Sequence, residues 1–330
     1  MKITFFSTQP YDRESFLKHH TATQFELVFL EEKLTEHTVS LASGSQAICV
    51  FVNDNLNEAV IHQLAQLDVQ LIALRCAGFN NVDLKAAHAC NIRVMRVPAY
   101  SPHAVAEHTL AMIMTLNRKT HKAYNRVREQ NFSLNGLLGF DLHEKTVGVI
   151  GTGHIGEVFC RIMHGLGCNI LACDPVKKPE IEKMGISYVP VNEIFSRCDI
   201  LSLHCPLNEE TRYFIDSNAI AQIKTGVMLI NTGRGGLVDT QAVIAGLKSG
   251  RIGYLGIDVY EQEADLFFQN LSEQIILDDT IARLMTFPNV LITAHQGFFT
   301  QEALDQIALT TFANVKQFMA GEMLVNEVKI

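Results

Sequence analysis

The sequence predicts an α/β protein built on two parallel sheets, and three observations lead there. Short apolar runs alternate with helical stretches along nearly the whole chain, the rhythm of βαβ units. At 330 residues the chain is too long for one ordinary core and long enough for two domains. Between Lys145 and Pro175, one complete βαβ unit carries glycines at G-x-G-x-x-G spacing.

In chain order, the first hundred residues offer strands at Ile3–Phe6, Glu26–Phe29, Ala47–Val52, Gln70–Arg75 and Arg93–Arg96, with helical stretches between them such as Asn57 to Gln66. Arg75 closes a strand and leads into the small-residue loop Cys76 to Asn81, rich in backbone N–H groups. A surface ion pair is the plain alternative for this arginine. Tyr100 stands where a strand gives way to a loop. Ser101-Pro102 starts a helix as cap and first-turn proline. Its apolar face predicts one long helix to about Arg128, a spine between two domains, with His103 and His108 as interface or capping residues.

The βαβ unit follows. Val147 to Ile150 is short and apolar, one buried strand. Gly151 allows the tight turn, Gly153 lets a pyrophosphate approach the backbone, and Gly156 lets the helix pack on the sheet. The helix start offers unpaired N–H groups to phosphate. A second strand, Asn169 to Cys173, ends at Asp174, 18 residues beyond Gly156. That acid is placed to accept hydrogen bonds from a ribose diol and would repel a 2′-phosphate, so the cofactor predicted is NAD(H) rather than NADP(H).

Further strands are predicted at Ile186–Tyr188, Asp199–His204, Val227–Asn231, Tyr254–Val259 and Asn289–Thr293, and a last helix at Gln301–Met319 that packs back on the first domain. Asp265 to Thr286 is the least regular stretch, a loop with a short helix. Ligands of open α/β sheets bind beyond the carboxyl ends of the strands. Arg234, Glu263 and His295 each follow a different strand there. A guanidinium can hold the carboxylate of a 2-keto acid through paired hydrogen bonds. An imidazole can give the carbonyl oxygen its proton, and a carboxylate beside the ring can orient it and keep it protonated. Arg234, His295 and Glu263 fit those roles. His204, also at a strand end, is expected on the cofactor side with Cys205 and Pro206, and Thr211, Thr232 and Asp258 are further candidates for cofactor contact.

Composition narrows the class. The net charge of −8 leaves no electrostatic footprint for nucleic acid. No apolar run has the length of a membrane span, and the N-terminus lacks the order of a signal peptide. The eight cysteines show no metal spacing, so buried reduced thiols in a cytoplasmic protein, and no metal, are expected.

GTGHIG at 151–156, Asp174, NTGRGGLVD at 231–239, GIDVYEQE at 256–263 and TAHQGFFT at 293–300 resemble the D-isomer-specific 2-hydroxyacid dehydrogenases. CAGFNNVDL at 76–84 and VPAYSPHAVAEHTL at 97–110 carry the resemblance through the first domain. It implies a catalytic set of Arg234, Glu263 and His295. It implies cofactor contacts at His154, Ile155, Asp174, Cys205, Pro206, Thr211, Thr232, Gly233 and Asp258, and substrate contacts at Arg75, Ala77, Gly78 and Tyr100. Relatives often carry valine at the position of Cys205 and asparagine at that of Thr211. The resemblance also implies a homodimer or homotetramer joined mainly through the nucleotide domain. The segment Glu261 to Asn270 and the pair Phe298-Phe299 are most similar to members that interconvert pyruvate and D-lactate. Alternatives that share the machinery are reductases of glyoxylate, hydroxypyruvate or branched-chain 2-keto acids, and an NADH-sensing binding protein of the same fold. The predicted organisation is two Rossmann-like domains. A discontinuous flavodoxin-like one (1–100 and 298–330) holds substrate, one of 101–297 holds NAD, and a cleft closes over the substrate.

Overall fold

In a computed structural model, which describes residues 1–20, 25–263 and 266–329, the chain forms two compact units, Met1–Ser101 with Phe298–Ile330, and Pro102–Gly297. The first unit opens with β1 (Lys2–Phe5), α1 (Pro10–His19), β2 (Glu26–Phe29), β3 (Ala47–Val50), α2 (Glu58–Gln66), β4 (Leu71–Leu74), α3 (Leu84–Ala89) and β5 (Arg93–Met95). All pairings are parallel, in the order β2-β1-β3-β4-β5, the flavodoxin-like arrangement. β3 and β4 are buried at every position, which is why they read as continuous apolar runs rather than alternating ones. Asn57 and Asp83 cap α2 and α3 by accepting hydrogen bonds from Val60 N and Ala86 N.

The second unit continues with α4 (Pro102–Arg118), α5 (Thr120–Arg128), β6 (Thr146–Ile150), α6 (His154–Gly165), β7 (Asn169–Cys173), α7 (Pro179–Lys183), β8 (Ser187–Tyr188), α8 (Val191–Arg197), β9 (Ile200–Leu203), α9 (Ser217–Gln222), β10 (Val227–Asn231), α10 (Thr240–Ser249), β11 (Ile252–Ile257), α11 (Asp279–Met285) and β12 (Val290–Ile292). Its seven strands are parallel in the order β12-β11-β10-β9-β6-β7-β8, the doubly wound Rossmann order with one added edge strand. The chain then returns to the first unit with α12 (Gln301–Ala320). There Phe312 meets Phe16 and Phe25, and Ser15 Oγ donates to Leu304 O at 3.0 Å.

One expectation is corrected. The long helix to Arg128 is broken at Lys119, whose φ of 51° lies in the left-handed region. The part before the break, α4, packs within the second unit on α6 and across β10, β11 and β12. The irregular stretch contains α11, capped by the Asp278 carboxylate, and Asp265 lies outside the described residues. No helix among the described residues is long and apolar enough to cross a membrane.

Candidate active site

The phosphate-binding turn is shaped by what cannot be there. A Cβ on Gly151 (φ 92°) would lie 2.5 Å from Cys205 N, and one on Gly156 would lie 2.0 Å from Gly151 O. Without those atoms α6 starts tight against the ends of β6 and β9. Above Gly153, at the cap position of α6, a Cβ would meet nothing within 4 Å. That open approach to the N–H groups of His154 and Ile155 suits a pyrophosphate. Nearby, Glu157 is neutralised by Lys178 and Arg161, and the Lys178 hydrogen bond holds its carboxyl below the usual range.

At the end of β7, Asp174 is fixed by two backbone donors, Thr152 N to Oδ2 at 2.6 Å and Val176 N to Oδ1 at 2.8 Å. Each carboxylate oxygen can still accept a second bond, as a ribose diol requires. Burial pushes the Cys205 thiol up to about 11, so it brings no negative charge toward phosphate. Thr211 ties its own loop, donating to Pro206 O at 2.6 Å, and Thr232 pairs with Thr109 at 2.9 Å. At His204, Nε2 meets Ser202 Oγ at 2.9 Å, the ring packs against Phe159, and burial pushes its pKa down to about 3.

The sheet order sets β10, β11 and β12 side by side, so Arg234, Glu263 and His295 leave from adjacent carboxyl ends. Asn231, the last residue of β10, shapes the first of these loops. Its Nδ2 donates to Arg234 O at 2.8 Å and its Oδ1 accepts from Gly233 N at 3.1 Å. A Cβ on Gly235 would be 2.1 Å from the Tyr260 carbonyl carbon, so the β10 and β11 loops touch through backbone alone. Arg234 is half-buried, with Nη1 donating to Gly233 O at 2.8 Å.

Glu263 is held at both oxygens. Oε2 accepts from Tyr260 N at 3.0 Å, and Oε1 lies 2.8 Å from His295 Nδ1. Tyr260 is itself anchored by its hydroxyl on Asp278 at 2.7 Å. A carboxylate at Nδ1 assigns the proton there and leaves exchange with a reacting group to Nε2. His295 has a φ of 52°, uncommon for a residue with a Cβ, and donates its N–H to Asp258 O at 2.7 Å. The Asp258 carboxylate, 1% exposed, accepts from Gln296 N at 2.9 Å and Gly297 N at 2.8 Å, and from the Thr293 hydroxyl. The sequence reading missed the positioning done by Asn231, Tyr260 and Thr293. Only Asn231, at a strand end before a glycine-rich loop, carries a local signal.

In the first unit, Arg75 is not a surface ion pair, being only 1% exposed. Its Nη2 donates to Ser7 O at 2.8 Å and lies 3.5 Å from Asp12 Oδ2, and its guanidinium sits 5.0 Å from the centre of the Phe51 ring. The following loop is fixed by Arg96, which donates to Ala77 O at 2.9 Å and covers Phe79. Gly78 O accepts from the Cys76 thiol, and Tyr100 packs edge-on to Phe298. Among the described residues no group of three or more His, Cys, Asp or Glu converges as a metal site would need.

Residues 110–297 match the sequence profile of the D-isomer specific 2-hydroxyacid dehydrogenase NAD-binding domain. A 2-hydroxyacid dehydrogenase homolog of Haemophilus influenzae is 50% identical over 328 residues, 99% of either chain. The D-lactate dehydrogenase of Escherichia coli is 48% identical over 328 residues, 99% of this chain and 100% of its own. Among solved structures, the pyruvate reductase of Chlamydomonas reinhardtii superposes with a TM-score of 0.93 at 42% identity, covering 99% of this chain and 98% of that one.

Proposed function

The chain belongs to the D-isomer-specific 2-hydroxyacid dehydrogenases and is an NAD-dependent enzyme of that family, and on that premise we propose that it reduces pyruvate to D-lactate, reversibly. The observation that carries the reading is the 2.8 Å contact between Glu263 Oε1 and His295 Nδ1, on the strand ends next to that of Arg234. When bound, NADH would supply a hydride for the carbonyl carbon of the keto acid. As the C=O π pair moves onto oxygen, His295 delivers its Nε2 proton there, giving a hydroxyl and completing the 2-hydroxy acid. In oxidation the same nitrogen takes that proton back. Glu263 keeps the ring oriented and offsets the charge of its protonated form. Arg234 holds the substrate carboxylate through its planar fork. Gly151, Gly153, His154, Ile155, Gly156, Asp174, Cys205, Pro206, Thr211, Thr232, Gly233 and Asp258 are proposed to hold the cofactor. Arg75, Ala77, Gly78 and Tyr100 are the first unit's proposed share of substrate binding. The names of relatives support pyruvate, since two of the similar proteins are named for D-lactate and for pyruvate. A panel of 2-keto acids with NADH, followed by chiral analysis of the product, tests this. Failure to oxidise NADH with any of them would sink it.

The proposal includes a homo-oligomer, dimer or tetramer, formed through the second unit. α5 buries none of its side chains, and after it Phe132, Leu134 and Leu138 are 73%, 81% and 86% exposed. Such an apolar stretch suits an interface. Serine at all three positions should lower the mass measured by light scattering; an unchanged mass removes this surface from the proposal. A cytoplasmic setting is supported by the eight unbridged cysteines.

A further inference from the structure

His295 adopts a backbone conformation that must be imposed by its surroundings, and the surroundings converge on one carboxylate. Asp258 binds the turn from Thr293 to Gly297 at four points, three through its side chain and one through its carbonyl oxygen. A carboxylate so deeply enclosed needs its lone pairs filled by donors to offset its desolvation. The added partner comes from α4. His108 Nε2 lies 3.3 Å from Asp258 Oδ1 and 3.2 Å from Thr293 Oγ1. The same ring covers Gly297, where a Cβ would sit 3.4 Å from His108 Cδ2 and 3.0 Å from Asp258 Oδ2. His108 therefore touches the carboxylate, the first residue of the turn and its last. Burial alone would raise the Asp258 carboxyl, but hydrogen bonds led by His108 and Thr293 hold it below the usual range.

We propose that His108 is a positioning residue for the reaction: with its Nε2 set against Thr293 Oγ1 and Asp258 Oδ1, it fixes the carboxylate that clamps the turn of His295, and so holds His295 in register with Glu263. The inference rests on the acid–base role proposed for His295. It differs from a plain packing role for α4, because it requires a donor at the Nε2 position and not merely a side chain of similar bulk.

Two conservative variants separate these. In His108→Gln the amide nitrogen can fall near the position of Nε2, whereas in His108→Asn it falls near that of Nδ1 and cannot reach Asp258. With pyruvate and NADH, His108→Asn should lose about tenfold or more in kcat, with KM for NADH changed less than about threefold and the primary isotope effect from deuterated NADH raised, as expected when a proton donor is misplaced. His108→Gln should keep at least about a third of wild-type kcat. Equal activities in the two variants, or losses that follow thermal stability alone, would overturn the inference. His108→Ala with added imidazole is the second variant: recovered turnover supports the role, and no recovery counts against it. A wild type inactive with every 2-keto acid would instead bring down the functional reading itself, a result seen before any variant is assayed.

Discussion

The proton exchange proposed for His295 depends on a residue held at two points. Glu263 fixes Nδ1, and the backbone N–H is taken by Asp258 O. His295→Gln should cut turnover by about 10² or more while NADH still binds, since general acid catalysis usually supplies that much. Unchanged turnover in stopped assays would remove the role. Asp174 belongs to the same scale. Its two oxygens are oriented by Thr152 N and Val176 N, so the charge stands in one place. Asp174→Ala should raise the ratio of NADPH to NADH use by about tenfold, and a wild type that already prefers NADPH would contradict the cofactor reading. Arg234, Glu263 and His295 were legible because each follows an apolar strand run, where open sheets bind ligands. His108 was not, because its partners Asp258 and Thr293 lie 150 and 185 residues further on. Arg75 was legible as a strand-end charge but not as a buried one, since Ser7 and Asp12 reach it across the sheet.

At the level of elements, the strands were readable because parallel strands covered on both faces are written almost wholly in Val, Ile, Leu and Ala. Their ends were less so: β3 stops at Val50, short of the apolar run to Val52, and β4 at Leu74, short of the expected end at Arg75. The break at Lys119 was invisible, because lysine is a good helix former and nothing beside it announces a left-handed residue. β9 brings a measurable property. His204 at its end has a pKa of about 3 when folded, against about 6.5 for an unfolded histidine. Between those values the unfolded chain binds more protons. Stability from this group is therefore full above about pH 6.5 and drains away as pH falls toward 3. His204→Asn should melt below wild type at pH 7, and the gap in thermal midpoint should narrow at pH 5. A gap that stays constant would mean His204 is not kept neutral by the fold.

For the molecule as a whole, the order of assembly differs from the order of the chain. The first unit needs α12, whose Phe312 fills a space between Phe16 and Phe25, yet α12 comes after all of Pro102–Gly297. A ribosome takes roughly 10 to 40 s over a stretch of that size. During this interval the N-terminal sheet is synthesised but lacks the helix that covers it, and its apolar residues are open to chaperones and proteases. The second unit meets no such delay, because every strand of its sheet is contiguous in the chain. A chain stopped after Gly297 should thus yield, in pulse proteolysis, a resistant fragment from Pro102 onward and a rapidly digested N-terminal portion. Equal resistance of both parts would show that the sheet closes without its last helix. Sensitivity to damage during synthesis is accordingly concentrated in the residues made first.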